Sequence, residues 1–125
     1  MEIHIEEKMA MMLEAATALL AIAALGGALM AAIRFSGRPH PPSWLAMGHG
    51  FLASAGLTLL IYAQLTVGLP VLAEIALGLA IVAATGGVAL NLLFHIKKLP
   101  LPKPLMILHA VFAVSALVLL LMSVL

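Results

Sequence analysis

The chain has 125 residues, 65% of them apolar and only 9% charged, with a formal net charge of +1. That composition lies far outside the soluble range and describes one small integral membrane domain spanning residues 1–125, with no stretch outside the bilayer long enough to fold separately. No basic patch suits nucleic acid, and the lack of cysteine excludes disulfides, thiolate metal sites, iron–sulfur clusters and covalently attached c-type haem.

The first residues, Met1-Glu2-Ile3-His4-Ile5-Glu6-Glu7-Lys8, are acidic where a secretory signal would be basic, so the first apolar run is expected to be a retained helix. That run, residues 9–35, is long enough at about 1.5 Å per residue to cross about 30 Å of hydrocarbon with some tilt. The connection Ser36-Gly37-Arg38-Pro39-His40-Pro41-Pro42-Ser43 cannot continue a helix, because each proline lacks an N–H and restricts the residue before it. Trp44 opens a second segment, residues 44–67, and reads as an interfacial anchor, with Tyr62 its counterpart at the other face. The short turn Gly68-Leu69-Pro70 makes the second and third segments antiparallel neighbours. The third, residues 71–96, ends at Lys97-Lys98. A second proline loop, Leu99-Pro100-Leu101-Pro102-Lys103-Pro104, leads into the fourth, residues 105–125. Four apolar segments with short connections predict an all-α, up-down-up-down bundle of four transmembrane helices.

Shifting the chain by 60 residues superposes Glu14 on Glu74, Gly26-Gly27 on Gly86-Gly87, Pro42 on Pro102, Leu45 on Leu105, His49 on His109 and Leu57 on Leu117. Glu, His, Pro and a double glycine falling into one frame point to tandem duplication of a helical hairpin, about 9–67 and about 70–125. Each unit crosses twice, so the halves are related by an axis along the membrane normal. The basic residues Arg34, Arg38, Lys97, Lys98 and Lys103 lie in or beside the proline loops, and the glutamates fall near the opposite surface. The positive-inside rule then makes the loops cytoplasmic and sends both termini outward, taking a bacterial inner membrane.

His49 and His109 each lie five residues into their segments, about 7 Å below the loop surface. Their helices are diagonal in such a bundle, on the order of 12–14 Å apart for neighbour spacings of about 8–10 Å. Two imidazoles reaching inward across that gap can ligate one iron on the pseudo-twofold axis. Ala53, Gly56 and Ala63 follow His49 at helical spacing, as Ala113, Ala116 and Ser123 follow His109, and Gly48 and Gly50 thin the helix further. Gly26, Gly27, Gly86 and Gly87 fall near the same depth on the other two helices, where they would leave room for a porphyrin. Arg34, Arg38, Lys97, Lys98 and Lys103 suit charge-assisted bonds to propionates. The competing readings are another metal or proton role, and histidines that merely hydrogen-bond a neighbouring helix.

His95 breaks the repeat, since its counterpart is Phe35. It suits an interfacial position, a propionate contact, or completion of a three-histidine zinc or copper site with His49 and His109. His40 and His4 are expected to be solvated. Glu14 and Glu74 read as carboxylates near the outer interface, or as a proton or quinol site opposite the histidines. Asn91 is a polar singleton near the proposed cofactor depth.

On His49, His109, the small residues around them and the run Leu-Pro-Leu-Pro-Lys-Pro-Leu leading into His109, the chain resembles small bacterial four-helix membrane proteins of the b-type cytochrome kind. That resemblance implies one non-covalent haem b with bis-histidine ligation, and electron transfer with a quinone or redox-protein partner. The lack of a second histidine on either ligand-bearing helix departs from multi-haem members. Small multidrug resistance transporters are similar in length and carry a glutamate in their first helix, as Glu14 is here, but lack the histidine pair. An accessory subunit of a larger membrane complex, or a homodimer, also suits so small a chain.

Overall fold

The computed structural model describes residues 1–125 as four helices: α1 (Glu2–Phe35), α2 (Ser43–Thr66), α3 (Val71–Leu90, continued by a π-helical turn, Asn91–His95) and α4 (Lys103–Val124). All four are long and apolar enough to cross a membrane, consistent with a multi-pass membrane protein. Each helix after the first begins directly behind a proline, at Pro42, Pro70 and Pro102. That residue's fixed φ suits a helix entrance, and its missing N–H costs nothing there.

α1 begins well before residue 9. Its 34 residues take in the acidic leader, with Glu2 in the first turn, where a negative charge complements the helix dipole. Nothing between Glu2 and Met9 breaks a helix, so polarity ends the apolar run without ending the helix.

α1 packs most extensively on α2 and α3 on α4, and the ring closes through α1 with α4 and α2 with α3. The interior mixes alanines with leucines: Ala16, Ala63, Ala73 and Ala76 are fully buried beside Leu60 and Leu120, whereas Leu25, Phe51, Val88 and Val111 point outward. The alanines let backbones approach closely, and the large apolar side chains left outside suit a lipid-facing surface. At Gly56 an added Cβ would come within 2.7 Å of Leu20 Cγ. The equivalent positions sixty residues on, Ala80 and Ala116, share the load evenly inside the same core. Repeat-related positions therefore solve one packing contact with different volumes.

Two apolar clusters result. The larger, including Leu13, Leu60, Ala73 and Leu120, fills the end nearer the Gly68-Leu69-Pro70 turn. The smaller, Leu90, Leu101 and Met106, lies at the proline-loop end. His49 and His109 fall between them.

The loops are tied to each other. Leu101 N–H donates to Pro39 O (3.0 Å), and Arg34 Nε donates to Leu101 O (3.0 Å). α3 ends in a Schellman motif: Leu99 N–H bonds Phe94 O (2.9 Å), Lys98 N–H bonds His95 O (3.0 Å), and Lys98 takes φ 55°. A lysine pays steric strain in that left-handed position and a glycine does not. Lys98→Gly should stabilise the fold by about 1 kcal/mol, read as a raised thermal midpoint.

Candidate bis-histidine site

His49 on α2 and His109 on α4 project into the bundle, and their ring centroids lie 6.2 Å apart at an interplanar angle of 76°. Each ring is half-buried and anchored the same way: His49 Nδ1 lies 2.7 Å from Ala23 O, and His109 Nδ1 lies 2.7 Å from Ala83 O. A carbonyl oxygen only accepts, so Nδ1 must carry the proton in both rings. In the neutral imidazoles each Nε2 therefore keeps its lone pair. A backbone carbonyl fixing Nδ1–H and orienting Nε2 is the usual support for a metal-bound histidine.

The glycines serve the rings directly. A Cβ on Gly27 would sit 3.1 Å from His49 Cε1 and 4.0 Å from its Nε2, and one on Gly87 would sit 3.2 Å and 3.9 Å from the same atoms of His109. Gly26 and Gly86 back the Cβ and Nδ1 sides of the two rings. The expected porphyrin gap at these positions is occupied by the imidazoles, and what glycine preserves is room for the Cε1–Nδ1 edge of each ring. Gly48 and Gly50 face open space and make no room inside the bundle.

With metal–imidazole bonds of about 2.0–2.1 Å and a ring nitrogen about 1.15 Å from its centroid, two imidazoles opposed across one ion have centroids about 6.4 Å apart. The 6.2 Å separation and the 76° angle are those of an edge-to-face ring contact, and the centroid distance is of the same order as that spacing. Two neutral imidazoles are also a donor set that haem iron accepts, and His49 and His109 would be the residues to hold it. Beside His109, an apolar cleft of about 450 Å³ runs between α1 and α4, with Met106 and Ala110 on its wall.

His95 does not join the pair. The π-turn carries it to the loop surface, where its ring meets His40 at 5.5 Å, edge to face. No group of three His, Asp or Glu side chains is gathered anywhere in the chain, so the alternative of a three-histidine zinc or copper site with His95 is not assembled. His40 is partly buried, its Nδ1 donating to Pro41 O at 3.3 Å, and His95 Nδ1 is buried without a partner. His4 is exposed near Glu7, as expected for a solvated side chain.

The basic residues divide. Arg34 spends its Nε on Leu101 O and points Nη1 at Arg38 O (3.4 Å). Lys103 holds its ammonium 5.3 Å from the Phe35 ring centre. Arg38, Lys97 and Lys98 are exposed. At the far end the duplicated glutamates differ. Gln64 Nε2 donates to Glu74 Oε1 (2.8 Å) while Gln64 Oε1 accepts Leu69 N–H (2.9 Å), which braces the turn. Glu14 instead borders a small cleft of about 120 Å³ with Pro70 and Ser123, because Val124 stands where Gln64 stands in the other half. Gln64→Ala should cost about 1–2 kcal/mol in thermal unfolding through loss of both bonds, and Val124→Ala much less. Asn91 opens the π-turn. Sequence reasoning missed the carbonyl partners Ala23 and Ala83, whose main-chain role leaves no side-chain signal.

Comparison of the chain with protein-family models, with curated proteins and with solved structures gives no match.

Proposed function

We propose that the chain is a membrane-embedded electron-transfer protein that holds one non-covalent b-type haem between His49 and His109. The observation that carries this reading is the pair of Nδ1-anchored imidazoles with centroids 6.2 Å apart. Both imidazoles are held as the same tautomer by carbonyls sixty residues apart, which leaves each Nε2 lone pair free to act as a ligand. When bound, the haem supplies a one-electron iron couple. The chain's own residues do the rest: Ala23 and Ala83 O orient the rings, and Gly27 and Gly87 leave room for the Cε1 edge of each ring.

The remaining features fit one assembly. Four apolar helices insert as an up-down-up-down bundle, built from a duplicated hairpin whose repeat-related contacts recur 60 residues apart. The proline loops face the cytoplasm of a bacterial inner membrane, following their cluster of Arg and Lys. A quinone or a redox protein exchanges the electron. Arg38, Lys97 and Lys98 are free for propionates, whereas Arg34 is committed in part to the loop.

The test is a reduced-minus-oxidised spectrum of protein purified from haem-replete cells, with haem quantified per chain. Paired visible bands of low-spin b-type haem at one haem per chain are expected. Folded but colourless protein overturns the reading and leaves the histidines as helix-packing groups.

A further inference from the structure

The cleft between α1 and α4 has a feature that the histidine pair does not use. Its walls are Ala31 and Phe35 on α1 against Met106, Ala110, Val111 and Val114 on α4, with Ser115 adding the single polar side chain. At its loop end Lys103 holds its ammonium over Phe35, and Arg34, the residue before Phe35, lies beside Leu101 through its Nε bond. Neither cation has a carboxylate partner. The one contact between a basic side chain and a carboxylate, His4 with Glu7 at 3.8 Å, lies in the N-terminal leader of α1. The repeat-related positions on the other side of the bundle carry Asn91 for Ala31 and His95 for Phe35, so the apolar wall with a cation at its end belongs to this side alone.

An open apolar cleft with a lysine and an arginine at its end, neither facing a carboxylate, matches a molecule with a hydrocarbon chain and an anionic head. Basic pockets between transmembrane helices on the cytoplasmic side bind lipids of that kind, and guanidinium and ammonium groups bond phosphate oxygens by charge-assisted hydrogen bonds. At about 450 Å³ the cleft is of ligand-site size and open along its length to the bilayer, and its position against α4 puts the occupant beside the helix that carries His109.

We infer that this cleft is a binding site for an anionic phospholipid, with one acyl chain against Ala31, Val111 and Val114 and the phosphate at Lys103 and Arg34. The inference rests on the membrane insertion proposed above and not on haem. It is tested by native mass spectrometry of the full chain released from bilayers of equal phosphatidylglycerol and phosphatidylcholine. Wild type should retain phosphatidylglycerol in preference, and Lys103→Gln should reduce that preference roughly fivefold, the weight of one cation near the surface. Val111→Trp, which fills the cleft without changing charge, should reduce the amount of lipid retained. Equal retention of the two lipids, a preference unchanged in Lys103→Gln, or full retention in Val111→Trp overturns the site. The preference should survive in a His49→Ala/His109→Ala double variant, which separates a lipid phosphate from haem propionates as the anion: loss of the preference there overturns the proposal. A chain that fails to enter the bilayers removes the membrane reading itself, a failure distinct from all of these.

Discussion

Alanine at either His49 or His109 is expected to abolish the b-type difference spectrum while leaving the helices folded. The structural cost is small because the imidazole is the donor that leaves. Ala23 O and Ala83 O keep the hydrogen bonds of their own helices, so neither carbonyl is orphaned, and the net loss should be about 1 kcal/mol. The chemical cost is complete for bis-histidine ligation, since one remaining imidazole gives a five-coordinate, high-spin centre or no retained haem. Circular dichroism should be unchanged, with the paired low-spin bands gone from both variants. Added free imidazole should restore low-spin bands to a variant that retains haem. Low-spin bands surviving in both single variants would show that the ligands lie elsewhere.

The second large effect is expected at the glycines. Gly27→Val or Gly87→Val places side-chain atoms where a Cβ alone already comes within 3.1 or 3.2 Å of the ring. The imidazole must move, straining its bond to Ala23 or Ala83, and the new methyl groups cover Nε2. Overpacking costs about 1–3 kcal/mol, so the thermal midpoint should fall and the pigment should be lost with both histidines still present. Gly48→Ala and Gly50→Ala meet nothing within 4 Å and are the matched controls. A coloured, normally stable Gly27→Val would mean that the ring edge beside Gly27 is not where the ligand binds.

Much of the architecture could be read in advance because its determinants are local. Prolines at 42, 70 and 102 set three helix starts, and long apolar runs set the spans. The histidine pairing was legible because His49 and His109 stand sixty residues apart in the same frame as Gly26-Gly27 and Gly86-Gly87. What could not be read depends on contact. The acidic leader continues α1 because helix propensity outlasts hydrophobicity there, and no local signal separates the two. The π-turn at Asn91–His95 contains no proline or glycine to announce it, yet it turns His95 away from the bundle interior and onto His40. The glycines were rightly placed near the site but given the wrong occupant: spacing shows where space exists, and only packing shows that an imidazole fills it.

Each histidine and its carbonyl anchor are 26 residues apart within one helix pair, His49 with Ala23 in α1–α2 and His109 with Ala83 in α3–α4. A break in the Gly68-Leu69-Pro70 turn would sever neither bond. The two half-sites are thus finished inside their own pairs, and only association of the pairs brings one ring opposite the other. Any ligand shared by His49 and His109 binds the associated state alone, so by mass action it acts as a clasp between two otherwise separable pieces. Fragments of the chain divided at that turn and produced together should then join more tightly when the ligand is present than when it is withheld.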